Sequence, residues 1–243
     1  MIFFDVDETI LETKVCYNRI YQNVHDRFNF KMPVEEFERK VATSLRIMMI
    51  RHMEFNYNES LGIDPSDYLM EIKTLEEPGM QNFREDFWKS NQDIFKDIDK
   101  DEFFQFFKSQ IVEYNTSIEG MVELIADLSK EHELGVITNG VSYVQHKKVE
   151  NLNISQYFKK IYVSGDYGYG KPDPKYYRYI INDSGADVNS SIMIGDNVQG
   201  DIFGALAIGM KAIYFNGKRQ DYNVVKAKDV ADLRVKIKEA LNE

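Results

Sequence analysis

The sequence predicts an α/β fold, a Rossmann-like doubly wound parallel sheet with an inserted α-helical cap domain. From about Gly120 onward, short apolar runs alternate with amphipathic helical patterns, which is typical of parallel βαβ units. Between residues 13 and 116 the helical patterns continue without a convincing strand. The apolar run at residues 2–4 precedes that helical segment and has no strand to pair with in it. We therefore expect this run to join the later strands.

These patterns divide the chain into two predicted domains. Residues 1–12 and 117–243 are predicted to form the α/β core, and residues 13–116 to form the cap, inserted after the first strand. The predicted cap helices are "CYNRIYQNVHDRF", "VEEFERKVATSLRIMMIRHMEF", "PSDYLMEIKTL", "NFREDFWKSNQDIFKD" and "DEFFQFFKSQIVEY". Turn-like segments, "NFKMP", "LGIDP" and "EEPGM", separate several of them.

The core elements follow one another in a regular order. In "GMVELIADLSKE" the apolar residues Met121, Leu124, Ile125 and Leu128 recur at helical spacing. The later predicted helices are "VSYVQHKKVENL", "DPKYYRYIIND", "DIFGALAIG" and "VADLRVKIKEALN". The strands predicted between them are "ELGVITNG", "KKIYVSGD", "SSIMIGD" and "MKAIYFN".

The composition narrows the range of partners. With 30 basic and 40 acidic residues the net charge is -10, which argues against a nucleic acid polymer as partner and leaves small anionic substrates open. No apolar stretch approaches membrane-spanning length, and no charged leader precedes the strand at Ile2, so we expect neither membrane insertion nor secretion. The single cysteine, Cys16, excludes an internal disulfide and fits a cytoplasmic protein.

Polar residues follow four of the predicted strands. They are Asp5 with Asp7, Thr138 with Asn139, the segment from Ser164 to Lys171, and Asp196 with Asp201. Ligands of open parallel sheets bind at the carboxyl ends of the strands, so we expect these groups to meet there. Taken singly, each group has a structural explanation: the first two aspartates as a turn or cap, Thr138 and Asn139 as a strand end, Lys171 as a solvated loop residue and Asp201 as a helix N-cap.

Together these groups predict a site for a metal ion and a phosphate. Asp5 and Asp196 would repel each other at close range unless a cation lay between them, and carboxylates without histidine or cysteine suit a hard ion such as Mg²⁺. Lys171 would hold the substrate anion as a point charge, while the Thr138 hydroxyl and nearby backbone amides donate hydrogen bonds to it.

The segments "DVDET", "TNG", "GKPDP" and "GDNVQGD" resemble the four ordered motifs of haloacid dehalogenase superfamily phosphatases of the helical-cap subclass I. The resemblance extends from Asp5 to about Met210. It implies that Asp5 is the nucleophile and Asp7 the general acid and base. It also implies that Thr138, Asn139 and Lys171 bind the substrate phosphate.

The same resemblance implies a magnesium site. Its protein ligands would be Asp196, Asp5 and the backbone carbonyl of Asp7, with Asp201 supporting the lysine and the metal shell. In an extended segment, residues two positions apart point to the same side, so Asp5 and Asp7 would share a face. Asp5 could then attack phosphorus to form an aspartyl phosphate while Asp7 carries the proton.

The function predicted from the sequence is a Mg²⁺-dependent phosphomonoesterase acting on a small soluble phosphometabolite. A pyrimidine nucleoside 5'-monophosphate is one candidate, because "DVDET" is similar to the pyrimidine 5'-nucleotidase branch. The alternatives are a sugar-phosphate phosphatase or a phosphosugar mutase and, less favoured, a haloacid dehalogenase or a non-catalytic binding module. A phosphonate hydrolase would need a reactive cap lysine, and nothing marks one out among Lys14, Lys31 and Lys40.

Two features leave alternatives open. Family members often carry glycine where this chain has Glu8, and a third acid beside the metal must point away or hydrogen-bond locally. The run "FFQFF", residues 103–107, is expected to be helix core, with one ring facing the ligand as the alternative. The oligomeric state is not predicted.

Overall fold

The strand at the start of the chain lies in the middle of a six-stranded parallel sheet. The computed structural model describes residues 1–52, 63–71, 80–219 and 221–242. The strands are β1 (Ile2–Phe4), β2 (Leu134–Thr138), β3 (Phe158–Val163), β4 (Ile192–Gly195), β5 (Lys211–Phe215) and β6 (Lys226–Ala227). They are ordered β3-β2-β1-β4-β5-β6, which confirms the prediction that β1 pairs with the later strands.

This strand order positions the site. From β1 the chain builds the sheet outward through β2 and β3, then returns to the other side of β1 with β4. The direction of winding therefore reverses between β1 and β4, and ligands bind at such a switch point, outside the carboxyl ends of the strands. Asp5 follows β1 and Asp196 follows β4, so both lie at that point.

Helices cover the sheet and form the segment predicted as the cap. The helices of the described residues are α1 (Thr13–Phe28), α2 (Val34–Arg51), α3 (Gln81–Ser90), α4 (Lys100–Ser109), α5 (Met121–Leu128), α6 (Ser142–Asn151), α7 (Ser164–Tyr167), α8 (Pro174–Ser184), α9 (Gly204–Leu206) and α10 (Val230–Leu241). The doubly wound α/β class predicted from the sequence is confirmed. None of these helices combines the length and the apolar character needed to cross a bilayer.

Three predicted cap helices differ from the prediction in the described residues. The described part of "PSDYLMEIKTL" forms a 3₁₀ turn, Pro65–Leu69, started by the Asp64 carboxylate, which accepts the Ser66 N–H. The one predicted over 82–97 ends with α3 at Ser90, where the Asn91 side chain donates to the Phe87 carbonyl at 2.6 Å. The one predicted over 101–114 is α4 followed by a 3₁₀ turn at residues 110–113.

Parts of other predicted elements lie outside the described residues. They are the end of the second predicted cap helix, the end of "PSDYLMEIKTL", the first two residues of the turn "LGIDP" and the first four of the turn "EEPGM". The helix predicted at "DIFGALAIG" begins earlier, as a π-helical turn (Val198–Phe203) that continues into α9. This wider turn presents the Gly200 carbonyl to the Tyr177 hydroxyl, which donates to it at 2.9 Å.

The aromatic residues of the cap segment pack against one another. Phe103, Phe104 and Phe107 are fully buried, and Phe103 lies 4.7 Å from the Phe95 ring centroid. The ring of Phe106 packs against that of Phe28, with 5.8 Å between the ring centroids. The "FFQFF" run is therefore helix core, as expected, and none of its four rings lines the cavities described below.

The chain enters and leaves the helical segment at neighbouring points. The Glu12 N–H donates to the Thr116 carbonyl at 2.9 Å, and the Ile118 N–H donates to the Ile10 carbonyl at the same distance. The two connections thus lie side by side next to the end of β1. The domain boundaries at residues 12/13 and 116/117 stay a prediction.

Candidate active site

A cavity of about 430 Å³ opens at the carboxyl ends of β1 and β4. Its lining includes six of the seven residues that the sequence predicted for the site: Asp5, Asp7, Asn139, Lys171, Asp196 and Asp201. The remaining one, Thr138, is fully buried, and in the described part of the chain it is not among the lining residues. Its hydroxyl accepts a hydrogen bond from Gln145 Nε2 at 2.5 Å, so its phosphate-binding role stays a prediction.

Lys171 lies between two carboxylates on the floor of this cavity. Its Nζ atom is 2.7 Å from Asp5 Oδ1 and 2.6 Å from Asp201 Oδ1. The side chain is only 5% exposed. Burial lowers the pKa of the Lys171 ammonium, but the two carboxylates outweigh that effect and raise it, so the cation is retained. This rules out the alternative of a solvated loop lysine.

Asn139 holds the backbone of Lys171. Its Nδ2 donates to the Lys171 carbonyl and its Oδ1 accepts the Lys171 N–H, both at 2.9 Å. This reciprocal pair joins the turn after β2 to the loop that carries the lysine. Asn139 thereby fixes the position of the cation, and its direct contact with a phosphate stays a prediction.

Three acids gather beside the lysine. Carboxylate oxygens of Asp5, Asp196 and Asp201 lie within 4.8 Å of one another. Burial raises the pKa of Asp5, as do the neighbouring carboxylates, against the opposing effect of Lys171. Burial and Asp201 likewise raise the pKa of Asp196 to about 7. An all-oxygen cluster under this strain fits a hard divalent cation, which would relieve the repulsion.

Asp201 is fixed by the loop after β4. Its Oδ2 accepts the Asn197 N–H at 2.9 Å, while its Oδ1 accepts from Lys171. A Cβ on Gly195 would lie 2.1 Å from Asp201 Oδ2, so only glycine allows this packing. The N-cap of the turn is Asn197, which accepts the N–H groups of Gln199 and Gly200, so the N-cap role considered for Asp201 is wrong.

Asp7 accepts three hydrogen bonds that the sequence did not predict. Its Oδ1 accepts from the Thr13 hydroxyl at 2.7 Å and from Lys148 Nζ at 2.9 Å. Its Oδ2 accepts from Gln145 Nε2 at 2.9 Å. Burial raises the pKa of Asp7, but the Lys148 charge and the three hydrogen bonds outweigh it, so the pKa is lowered. Gln145 and Lys148 stand three residues apart on α6, which places them on one helix face. This spacing, shortly after Thr138 and Asn139, was the only sequence signal that both could reach the site.

Glu8 lines the cavity beside the acid cluster and pairs locally with Lys14. Its backbone has φ +56°, a left-handed conformation that glycine adopts without strain. Its carboxylate accepts the Lys14 N–H at 2.9 Å and pairs with the Lys14 ammonium at 3.2 Å. Of the two arrangements left open by the sequence, the local hydrogen bond is therefore the one present.

A second cavity of about 380 Å³ adjoins the first. The two share Glu8, Asp196, Asn197 and Gln199 in their linings, and the second adds Lys14, Lys218 and Arg219. The crevice thus runs from the acid cluster toward a more basic rim. Its polar and partly basic lining suits a small anionic molecule.

Comparison with known proteins shows similarity along most of the chain. A family model described as haloacid dehalogenase-like hydrolase matches residues 2–215. The human N-acylneuraminate-9-phosphatase is 24% identical over 217 residues, which are 89% of this chain and 82% of that protein. The pyrimidine 5'-nucleotidase YjjG of Escherichia coli is 28% identical over 116 residues, which are 47% of this chain and 52% of that protein.

The protein YfnB of Bacillus subtilis, described as a putative HAD-hydrolase, is similar in both sequence and fold. It is 32% identical over 100 residues, which are 41% of this chain and 43% of YfnB, so the matches to YfnB and YjjG span about half of each relative. A crystal structure of YfnB bound to magnesium aligns with a TM-score of 0.67 at 19% identity. That alignment covers 100% of this chain and 98% of the YfnB chain, and it shows a shared fold.

Proposed function

Because the chain belongs to the haloacid dehalogenase-like hydrolase family, we propose that it is a Mg²⁺-dependent phosphomonoesterase acting on small phosphorylated metabolites. The observation that carries this proposal is the cluster at the strand ends. Lys171 lies 2.7 Å from Asp5 and 2.6 Å from Asp201, beside Asp196. A buried cation next to three clustered acids suits a phosphate dianion together with a divalent metal.

The chain's own residues divide the chemistry between two carboxylates. Asp5 attacks phosphorus, the bond from phosphorus to the ester oxygen breaks, and an aspartyl phosphate forms. Asp7, whose pKa Lys148 holds low in the free site, must carry a proton when the substrate is bound, and it gives that proton to the leaving alkoxide. It then takes a proton from the water that attacks the aspartyl phosphate, which releases inorganic phosphate and restores Asp5. Lys171 neutralises charge on the phosphoryl oxygens in both steps.

The residues that would hold Mg²⁺ are Asp5, Asp196 and the backbone carbonyl of Asp7, with Asp201 supporting. When bound there, the ion would neutralise the phosphoryl oxygens so that the Asp5 carboxylate can approach the anionic phosphate. The all-oxygen acid cluster supports this assignment. The magnesium bound in the YfnB crystal structure is consistent with it.

The relatives support phosphate ester hydrolysis over the other reactions of this fold. The human and Escherichia coli relatives are named as a phosphatase and a nucleotidase. A 2-haloacid dehalogenase is disfavoured because Asp7 supplies a proton carrier that dehalogenation does not need. A phosphosugar mutase would use the same residues and differs by returning the phosphate to its product rather than to water.

We take pyrimidine nucleoside 5'-monophosphates as the first substrate candidates and sugar phosphates as the second. The first rests on "DVDET" and on YjjG, and the second on N-acylneuraminate-9-phosphatase. Stacking of a base on the cap phenylalanines does not support the first, because Phe103, Phe104 and Phe107 are buried. The segment 13–116 is proposed to close over the crevice, exclude water and restrict substrates to small molecules.

The test is phosphate release from a panel of small phosphate esters, with Mg²⁺ and with excess chelator. We expect release that depends on Mg²⁺ and is absent from Asp5→Asn. No release from any ester would overturn the proposal. Transfer of the phosphate between positions of a hexose would favour the mutase, and halide release from a 2-haloacid in chelator would favour the dehalogenase.

A further inference from the structure

Lys148 lies between an acid of the α/β core and an acid of the helical segment. Its Nζ atom is 2.9 Å from Asp7 Oδ1 and 3.6 Å from Asp67 Oδ2. The Lys148 side chain is 2% exposed and that of Asp67 is 3% exposed. Lys148 is carried by α6 of the core, and Asp67 by the 3₁₀ turn that follows α2 in the described chain.

Two tyrosines fix the acid of the helical segment. The hydroxyls of Tyr17 and Tyr114 both donate to Asp67 Oδ1, at 2.7 and 2.8 Å. The ring of Tyr114 also lies below the Lys148 ammonium, 4.7 Å from its centroid. Tyr17 and Tyr114 stand near the two ends of the helical segment. The cluster therefore lies where that segment meets the core.

Burying the Lys148 ammonium is unfavourable for folding, so its retention suggests a role in the site. Removing an ion from water is unfavourable, and apolar side chains of similar volume would fill the same space without that penalty. Lys148 donates to one oxygen of Asp7, Oδ1, which also accepts a hydrogen bond from the Thr13 hydroxyl. The donor to the other oxygen, Gln145 Nε2, also reaches Thr138 Oγ1 at 2.5 Å and the Asn139 carbonyl at 3.2 Å, so it is shared.

We propose that Lys148 is a positioning residue that orients Asp7 for proton transfer, and that Asp67 and its two tyrosines hold Lys148 in place from the helical segment. This inference rests on the proposed phosphatase function. By fixing Oδ1, Lys148 leaves Oδ2 as the oxygen that exchanges a proton with the leaving group and then with water. The geometry of the proton carrier is thereby tied to the placement of the helical segment over the crevice.

The test compares two esters that differ mainly in the basicity of their leaving groups. p-Nitrophenyl phosphate departs with little need of a proton, whereas phenyl phosphate depends on the general acid. The value of kcat/KM reports the steps up to aspartyl phosphate formation, so it isolates the first proton transfer. Lys148→Met also removes the charge that lowers the pKa of Asp7, so kcat/KM is compared at its plateau against pH. There the lost orientation is expected to cost about 100-fold on phenyl phosphate and less than about tenfold on p-nitrophenyl phosphate, in line with the usual contribution of general acid catalysis.

A second readout follows the breakdown of the intermediate. Hydrolysis of the aspartyl phosphate needs Asp7 as a base, whichever ester was used. Lys148→Met should therefore release nitrophenolate in a burst of about one equivalent per active site, followed by a slow steady state. A residue that only supports the fold would change neither the burst nor the ratio between the two esters.

Asp67→Asn and Lys147→Met complete the experiment. Asp67→Asn keeps Lys148 and removes its anchor, so we expect the same selective loss on phenyl phosphate, about tenfold, and it decides the question if Lys148→Met does not fold. Lys147 neighbours Lys148 on α6 but pairs with Glu150 at the surface, so its variant should match the wild type. Equal losses on both esters would overturn the inference alone. A wild type that releases phosphate from no ester of the panel above would overturn the proposed function instead.

Discussion

The Lys171 ammonium lies 2.7 Å from the Asp5 carboxylate. Asp5 directly follows β1, whereas Lys171 lies far along the chain, in the loop between α7 and α8. The proposed nucleophile is thus paired with a cation before any substrate binds. Its approach to an anionic phosphate then depends on how that cation and a metal share the negative charge.

Lys171→Ala is expected to weaken both folding and catalysis. Removing the ammonium leaves Asp5 and Asp201 buried without a counter-ion, which should lower the free energy of unfolding by about 3 kcal/mol in chelator. The same change removes a phosphoryl contact in the ground state and the transition state, so KM should rise and kcat should fall. Denaturant unfolding and steady-state kinetics measure the two effects.

Lys171→Arg is the matched variant, because it keeps the charge and changes its shape. The planar guanidinium is larger than the ammonium and places its charge differently, so we expect only partial recovery of kcat/KM. Kinetics of Lys171→Ala equal to those of the wild type would show that this buried lysine does not contact the substrate.

Asp5→Asn is expected to abolish turnover and leave the fold intact. An amide is a poor nucleophile, so kcat should fall by about 10⁴-fold or more. Because the change removes one charge from a crowded acid cluster, the melting temperature in chelator should not decrease. Asp187→Asn, at an exposed 3₁₀ turn, is the control and should behave like the wild type. Substantial residual activity in a contaminant-free sample would contradict the aspartyl phosphate mechanism.

The sequence was sufficient to predict the sheet and the acids at its edge. Each strand stands between helical patterns, and parallel strands bring their carboxyl ends together, so Asp5 and Asp196 were expected to meet. It was not sufficient to predict which residues hold Asp7. Lys148 reads as an ordinary helix lysine, and its burial depends on Tyr114 and Asp67, which come from distant segments.

The local details that differ have similar causes. Hydrophobic periodicity does not reveal that Asp64 starts a 3₁₀ turn, because side-chain capping competes with the helix at that point. The glycine often found at the position of Glu8 was a signal for its left-handed backbone, whereas the contacts of its carboxylate with Lys14 could not be predicted from the sequence. Such features follow from contacts rather than from composition.

Magnesium is expected to stabilise the protein as well as activate it. At a concentration about 100 times its dissociation constant, a bound ion adds about 2.7 kcal/mol to the free energy of unfolding. For a chain of this size that corresponds to a rise in melting temperature of about 5–10 °C. Asp196→Asn should lose most of this rise and should need more Mg²⁺ for activity, whereas Asp187→Asn should keep it. Full activity in excess chelator would contradict a metal requirement.

The stability of the metal-free protein should depend on pH through Asp196. Its pKa is raised to about 7 in the folded state, and an aspartate titrates near about 3.9 in an unfolded chain. Between these values the folded protein binds more protons than the unfolded one, so this contribution to stability is full at low pH and is lost as the pH rises through about 7. Asp5, whose pKa is also raised, acts in the same direction.

The measurement is the difference in unfolding free energy between the wild type and Asp196→Asn. In chelator, the wild type should lose about 2 kcal/mol of unfolding free energy relative to Asp196→Asn as the pH rises from about 5 to about 8. Saturating Mg²⁺ should abolish that shift, because the ion compensates the ionised cluster. A difference that does not change with pH in chelator would show that Asp196 is not under strain.

The last prediction concerns the substrate, where the polar crevice is the guide. The cavity beside Asp5 and its basic neighbour lined by Lys14, Lys218 and Arg219 accept a small anionic ester, whereas the buried cap phenylalanines offer no surface for a base. The decisive measurement is kcat/KM for UMP, dUMP and dTMP against hexose phosphates, glycerol phosphate and 2-phosphoglycolate. A nucleotidase should favour the pyrimidine nucleotides by at least about tenfold, which equals about 1.4 kcal/mol of differential transition-state binding. A smaller advantage would exclude the nucleotidase and leave a phosphatase of other small esters, with sugar phosphates next, because hydroxyl groups match the polar lining of the crevice.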